Sequence, residues 1–325
     1  MSQVIFVTGG AGYIGSHAAK ALFASGYKPV VIDNLSRGLE SAVKWGALAK
    51  VDIGDTDSLV ELFGKYQPAA VMHFAAFAYV GESMVDPYLY YENNVSGTLG
   101  LLSAMRHTGC DKLIFSSTCA TYGIPDGEEI TEETPQNPVN PYGMSKLMIE
   151  RILSDADVAY GLKSICLRYF NAAGSDPECE IGECHEPETH LIPLALRAAA
   201  QGEFELKVFG ADYDTPDGSC IRDYIHVSDL ADAHVLALES LLQGGDSDCY
   251  NLGLGKGFSV LDVINEVQAV TGLDVRFSKE GRRAGDPPSL VSCADKARQK
   301  LRWSPKYLDL KDQIQHSWNW AKKAN

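Results

Sequence analysis

The sequence predicts an α/β fold: a doubly wound parallel sheet joined to a smaller, discontinuous α/β substrate-binding domain. Three observations lead there. Short apolar runs of strand length alternate with amphipathic stretches of helix length up to residue 171. Sequential βαβ units produce that beat and a hairpin-built sheet does not. The first run leads directly into Gly9-Gly10-Ala11-Gly12-Tyr13-Ile14-Gly15, the kind of turn that lets a helix N-terminus approach a pyrophosphate. After Asn171 the beat breaks, and polar loops separate the remaining apolar segments.

The elements follow in order. Residues 4–7 read as a buried strand, 14–24 as a helix, 29–33 and 49–53 as the next strands. Helical segments at 58–66 and 90–107 flank a strand at 70–74. Strands at 112–117 and 164–168 are separated by a helix that begins near Tyr142. A parallel sheet of this Rossmann type receives its ligand at the carboxyl ends of its strands, so Asp33, Asp52, Phe74, Thr118 and Phe170 should line one crevice. Beyond a polar loop at 172–190, residues 191–200 and 227–242 read as helices and 249–252 as a strand. Residues 214–218 are rich in turn formers, residues 257–325 mix short strands and helices, and 281–288 form an irregular loop. The expected division assigns 1–171, rejoined by about 221–252, to the nucleotide-binding domain. It assigns 172–220 and 253–325 to the substrate domain.

A net charge of −15 argues against nucleic acid or an anionic membrane as the main partner. The chain runs straight into Val4-Ile5-Phe6-Val7 without a basic leader, and no apolar stretch approaches the roughly 20 residues of a membrane span. No signal peptide and a cytoplasmic location are therefore expected. The eight cysteines are scattered, several in apolar runs such as Ile165-Cys166-Leu167, as reduced buried thiols are. Cys179, Cys184, His185 and His190 invite a metal reading, but they lack a paired C-x2-C element and lie in an acidic loop, so no metal is expected.

Gly9, Gly12 and Gly15 open the first helix, and Gly15-Ser16 lacks the lysine that a P-loop would need. Asp33 ends the second strand, where a carboxylate accepts hydrogen bonds from adenosine ribose hydroxyls and repels a 2′-phosphate. That favours NAD over NADP, with Arg37 nearby as the counter-indication. Tyr142 and Lys146 stand at i and i+4, one turn apart on one helix face. A free tyrosine, with a pKa of about 10, is a poor base at neutral pH, and correcting that asks for about 4–5 kcal/mol of preferential phenolate stabilisation. A nearby lysine and a cationic nicotinamide ring, shielded from water, are the expected sources. The spacing alone is common. Tyr307 and Lys311 repeat it, without a partner strand ending in a hydroxyl, and read as structural. Tyr142 instead follows a strand ending in Ser116-Ser117-Thr118. There Thr118 can hold the substrate oxygen, Tyr142 exchange its proton and Lys146 fix the cofactor ribose. Taken alone, Thr118 would be a strand-end hydroxyl capping the next turn.

These residues resemble the extended short-chain dehydrogenase/reductases, and among them the UDP-glucose 4-epimerase family. The likeness runs through Thr8–Gly9 to His17, Asp33-Asn34-Leu35, His73-Phe74-Ala75-Ala76, Val80-Gly81-Glu82-Ser83 and Tyr142-Gly143-Met144-Ser145-Lys146. More specific are Arg168-Tyr169-Phe170-Asn171 and Arg222-Asp223-Tyr224-Ile225-His226-Val227. The resemblance implies interconversion of UDP-galactose and UDP-glucose through a transient 4-keto sugar, with enzyme-bound NAD, in a cytoplasmic homodimer. It implies that the cofactor touches Tyr13, Ile14, Asp33, Asn34, Asp52, Ile53, Phe74, Ala75, Asn93, Thr118, Tyr142, Lys146 and Phe170. It further implies that the nucleotide-sugar meets Thr118, Tyr142, Asn171, Leu191, Phe209, Arg222, Arg283, Asp286 and Leu290. Two guanidinium forks suit a diphosphate in an acidic protein, although by themselves Arg222 and Arg283 would pass for solvated surface charges.

Three positions depart from the family pattern: Ala78 where a lysine is frequent, His190 where asparagine is common, and Leu290 where tyrosine or cysteine stands. Sugar dehydratases, the nearest rivals, carry an Asp-Glu pair after the catalytic hydroxyl residue, whereas Cys119 and Ala120 follow Thr118 here. A UDP-xylose/UDP-arabinose 4-epimerase is the alternative substrate reading. A non-catalytic NAD-binding protein is disfavoured by the intact Tyr/Lys pair.

Overall fold

The computed structural model describes residues 2–125, 129–283 and 286–324. Its strands are β1 (Val4–Thr8), β2 (Lys28–Ile32), β3 (Ala47–Ala49), β4 (Ala70–His73), β5 (Lys112–Ser116), β6 (Lys163–Tyr169), β7 (Asn171–Ala173), β8 (Leu206–Phe209), β9 (Ile221–His226), β10 (Asp248–Leu252), β11 (Gly257–Ser259), β12 (Phe277–Glu280) and β13 (Ser289–Leu290). Its helices are α1 (Tyr13–Ala24), α2 (Thr56–Tyr66), α3 (Val80–Val85), α4 (Pro87–Tyr90), α5 (Gly97–Thr108), α6 (Pro141–Tyr160), α7 (Leu191–Ala200), α8 (Val227–Leu242), α9 (Val260–Thr271), α10 (Asp295–Lys300) and α11 (Leu310–Ala324).

Seven strands form one parallel sheet in the order β10-β6-β5-β4-β1-β2-β3. The alternation of strand side chains builds a core on each face. Ile5 and Val7 of β1 point to the side covered by α1 and α8, with Leu22, Leu230 and Leu238. Phe6 points to the side of α2, α5 and α6, with Phe63, Met105 and Leu153. From β1 the chain winds one way to β2 and β3 and the other way to β4, so the topological switch lies between β1 and β4. The turns after those two strands touch there: a Cβ on Gly9 would sit 2.5 Å from the Ala75 amide nitrogen. His73 pins the same point. Its Nε2 meets the Thr98 hydroxyl at 2.8 Å, which itself donates to the Asn94 carbonyl, and its Nδ1 meets Thr8 Oγ1 at 2.6 Å.

The second body holds β9 at its centre, with β7 and β13 parallel and β11 antiparallel to it. A separate pair, β8 and β12, is parallel. Helices α7, α9 and α11 pack on these strands around Ile192, Leu196, Val263, Val267 and Ile314. After β9 the chain returns to the large sheet through α8 and β10, so residues 221–226 belong to the small sheet.

Several expected elements shift. The strand expected at 49–53 is β3, Ala47–Ala49; the apolar Val51 and Ile53 follow it because they pack inward, Ile53 against Gly97 at the start of α5. The single helix expected at 90–107 is three segments: α4, a π-helical stretch Tyr91–Ser96, and α5. The widened turn lets Asn94 accept from the Phe77 amide and donate to the Phe77 carbonyl and Ser145 Oγ. Strand β7 takes up the first two residues of the expected 172–190 loop, and Ala284 and Gly285 of the expected 281–288 loop fall outside the described residues. No helix among the described residues is long and apolar enough to cross a membrane.

Candidate active site

A cleft of about 1110 Å³ opens at the carboxyl ends of the large sheet and runs on between the two bodies. All the expected site residues line it except Asp52. Asp52 is exposed just past β3, and its carboxylate accepts from Asn34 Nδ2 at 2.6 Å and from the Gly54 amide. Its placement beyond the end of β3 follows from the inward packing of its neighbours.

At the nucleotide end, Gly9 takes φ +70 and accepts from the Gly12 amide at 3.1 Å. A Cβ on Gly15 would lie 2.3 Å from the Gly9 carbonyl oxygen, so only glycine lets α1 start this close to β1. Gly12 is the N-cap and offers no side chain, which leaves the first-turn amides to a bound anion. Asp33 accepts from the Ala11 amide at 3.0 Å and the Leu35 amide at 2.8 Å. Burial pushes its carboxyl up, and those two amides oppose the shift. Arg37 is not free to receive a phosphate. It holds both oxygens of Glu82 at 2.7 Å and lies over the rings of Phe77 and Tyr79. This backbone cradle, closed by a carboxylate and with its one nearby guanidinium engaged, fits a dinucleotide bearing a free ribose diol.

At the centre stand Thr118, Tyr142 and Lys146, all buried. Asn140 caps α6 by accepting from the Gly143 amide at 2.8 Å, with Pro141 in the first turn. The helix therefore begins before Tyr142 and carries it one turn from Lys146. The Lys146 ammonium donates to the Ser116 carbonyl at 2.8 Å and lies over the Phe115 ring. Thr118 Oγ1 accepts from the Ala120 amide at 3.1 Å, so the residue does cap the next turn, while its hydroxyl also acts on Tyr142.

Burial raises the Tyr142 phenol above its ordinary value, Tyr169 adds to the rise, and Thr118 is the group that pulls it back. Burial likewise drives Lys146 down to about 7. Lys146 points at the Ser116 carbonyl and is not among the groups that shift the Tyr142 phenol.

Behind this centre lies a network that sequence spacing did not single out. Glu150, one turn beyond Lys146, accepts from Arg168 Nε and Nη2, from Ser117 Oγ at 2.5 Å and from Gln136 Nε2. Arg168 Nη1 reaches the Tyr122 hydroxyl, which donates to Asn251 Oδ1. The signal was there: Glu150 extends the Tyr142–Lys146 row by another four residues, a carboxylate on the same helix face.

At the far end, Arg222 donates to Asp286 Oδ1 at 2.7 Å and to its neighbour's carbonyl, and the Arg283 guanidinium stacks over Phe209 at 3.9 Å. Asn171 donates to the Asp223 carbonyl. Leu290 is in register with Arg222 and packs against the Tyr122, Ile130 and Phe170 group. Leu191 begins α7 directly after His190. The Cys179/Cys184/His185/His190 set does not come together; the two histidines instead meet Glu183 and Glu188. Against the upward push of burial, His190 and His185 hold Glu183 down to about 2. Tyr307 lies outside α11, its ring 4.2 Å from that of His226, consistent with its structural reading.

Residues 5–253 match the model of the NAD dependent epimerase/dehydratase family. The UDP-glucose 4-epimerase of Rhizobium meliloti is 52% identical over 321 residues, 99% of this chain and 98% of that one. The crystal structure of UDP-glucose 4-epimerase from Brucella ovis in complex with NAD superposes with a TM-score of 0.95 at 52% identity, covering 98% of each chain. A UDP-glucose 4-epimerase from Stenotrophomonas maltophila, solved with NAD and formylated UDP-arabinopyranose, gives a TM-score of 0.95 at 38% identity, covering 100% of this chain and 99% of that one. Agreement of this extent, reached along nearly the whole length of the chain, places it in the NAD-dependent epimerase/dehydratase family.

Proposed function

We propose that this protein is a UDP-glucose 4-epimerase that interconverts UDP-galactose and UDP-glucose with NAD held in the cleft. The observation that carries the reading is the continuity of that cleft. It joins the glycine turn to Arg222 and Arg283, with Tyr142 between them. Residues 1–171 with 227–252 would hold the dinucleotide, and 172–220 with 253–325 the UDP-sugar.

When bound, NAD supplies a hydride acceptor and donor for C4 of the sugar. The chain's residues handle the proton and the positioning. Gly9, Gly12, Gly15, Tyr13 and Ile14 form the cradle for the pyrophosphate, and Asp33 with Asn34 receives the adenosine ribose. Ile53, Phe74, Ala75, Asn93 and Phe170 shape the rest of the dinucleotide wall. Lys146 holds the other ribose, and Thr118 orients the C4 oxygen. Tyr142 takes the proton from that oxygen and returns it after the sugar has presented its other face. Asn171, Leu191, Phe209 and Leu290 bound the sugar and nucleoside, while Arg222, steadied by Asp286, and Arg283 face the diphosphate. Cys119 and Ala120 offer no acid to protonate a leaving hydroxyl, which supports epimerisation over dehydration.

A pentose substrate is the second reading, favoured by the UDP-arabinopyranose derivative bound to the Stenotrophomonas relative. Incubating the purified protein with single UDP-sugars, without added NAD, tests both. The 4-epimer of UDP-galactose is the expected product, and stoichiometric NADH release would instead mean a dehydrogenase.

A homodimer through α5 and α6 is part of the proposal. Ile149, Leu153 and Ala156 face the core, whereas Leu99 and Met148 are exposed on the outer side. A monomer near 35.3 kDa by light scattering would refute it. Eight free thiols suit a cytoplasmic location.

A further inference from the structure

The loop between β7 and α7 gathers four donors that the epimerase reading does not use. Glu183, His185, Glu188 and His190 each place one ligand atom within 4.8 Å of the other three. His185 Nδ1 is 3.1 Å from Glu183 Oε1 and 3.8 Å from Glu188 Oε2. His190 Nδ1 is 2.5 Å from Glu183 Oε1 and 3.4 Å from Glu188 Oε1. Four ligands at about 2.0–2.1 Å around a tetrahedral ion stand about 3.3–3.4 Å apart. The histidine–carboxylate separations, taken to the nearer oxygen of each carboxylate, fall on both sides of that edge. Both imidazoles turn the same nitrogen, Nδ1, to the same point, and the two carboxylates meet no lysine or arginine there among the described contacts.

We propose that Glu183, His185, Glu188 and His190 bind one divalent cation of the zinc class, as a structural ion that locks loop 182–190 onto the cleft wall. Two nitrogen and two oxygen donors suit Zn²⁺ over Mg²⁺ or Ca²⁺, which prefer oxygen alone. With four protein ligands the tetrahedron is closed, as structural zinc sites are, so the ion has no open position for substrate. The surroundings are built to hold the loop. The Trp320 indole donates to the Glu183 carbonyl at 3.0 Å and its ring packs on Gly182. The His185 ring stands edge-on to Tyr13 and Tyr79, both on the cleft wall. Glu188 accepts from the Thr189 and His190 amides, which fixes its carboxylate. His190 is the exposed member and gives the ion its way in. On binding, each Nδ1 gives up its hydrogen. A neutral ring shifts it to Nε2, and a protonated ring releases one proton to solvent.

The inference stands apart from the choice of sugar or reaction. Its test is metal content and binding in the full chain. The protein is stripped with a chelator, dialysed, and titrated with Zn²⁺ by calorimetry and thermal shift, and with Co²⁺ by visible absorption. One equivalent per chain, a rise of a few degrees in Tm and the intense absorption of tetrahedral Co²⁺ are expected. Glu183→Gln/His185→Asn should lose the site. His190→Asn, which replaces an exposed helix N-cap with a residue favoured there, should fold and bind at least about 100-fold more weakly, at the upper end of what even an outer-shell change costs a metal site. No uptake by the stripped protein, or equal uptake by the native protein and His190→Asn, would overturn the proposal; equal uptake means adventitious surface binding only.

Discussion

Replacing Arg168 by methionine should make the stability of this protein depend on pH in a direction opposite to that of an ordinary paired carboxylate. Arg168 and Glu150 are both buried, and the guanidinium supplies contacts at 2.7, 3.0 and 3.2 Å. Methionine keeps most of the apolar volume, so the cost comes chiefly from the carboxylate left behind. Breaking one side of a buried pair costs about 3–5 kcal/mol. Glu150 has an escape, which is to take up a proton. With an unfolded-state pKa of about 4.3, protonation at pH 7 costs about 3.7 kcal/mol, and at pH 5 only about 1 kcal/mol. The charge penalty is therefore capped near those values. A carboxyl buried without its counter-charge favours the neutral form, so the variant's folded state binds more protons than its unfolded state and stability falls as pH rises above about 4.3. Urea unfolding of native protein and variant at pH 5 and pH 7 measures both terms. The loss should be about 3–4 kcal/mol at pH 7 and markedly less at pH 5. Glu150→Gln/Arg168→Met should remove the pH dependence. A loss under about 1 kcal/mol at pH 7, or the same loss at both pH values, would refute the argument.

Tyr142→Phe should fold, retain NAD and lose roughly 10²–10³ in turnover, the usual worth of a positioned proton-transfer group; near-normal turnover ends its assignment. With the nucleotide removed, Lys146 sits at about 7 rather than 10.5, so the folded state binds fewer protons than the unfolded one between those values. Native stability should then rise with pH across that window relative to Lys146→Met, and a flat difference in urea midpoint would contradict it. Leu290 packs beside Phe170 and lines the cleft, and a packed pocket resists even one methylene by about 1–3 kcal/mol. UDP-galactose should therefore be preferred over UDP-N-acetylgalactosamine, and Leu290→Cys should narrow the kcat/KM ratio; an unchanged ratio shows that the residue is no gate.

What was legible in the sequence is what short-range spacing encodes. The βα beat, the glycine turn after β1 and the row of Tyr142 and Lys146 on α6 are each properties of neighbouring residues, and the structure carries them. What was hidden depends on partners distant in the chain. Val51 and Ile53 look like strand because they alternate, yet their apolar faces are claimed by the helix layer and β3 ends before them. The π-helical turn at Tyr91–Ser96 serves Asn94, whose partners Phe77 and Ser145 no local pattern brings together. The Lys146 ammonium is spent on the Ser116 carbonyl, a direction that helix spacing cannot reveal. The loop at 182–190 is the sharpest case. Its sequence offered cysteines as the companions of His185 and His190, and folding substituted the carboxylates of Glu183 and Glu188. The exchange turns a set with soft sulfur donors into one of nitrogen and oxygen. Zinc accepts either set, so the exchange changes the donors and not the ion, and those donors became readable only once the backbone had placed the side chains.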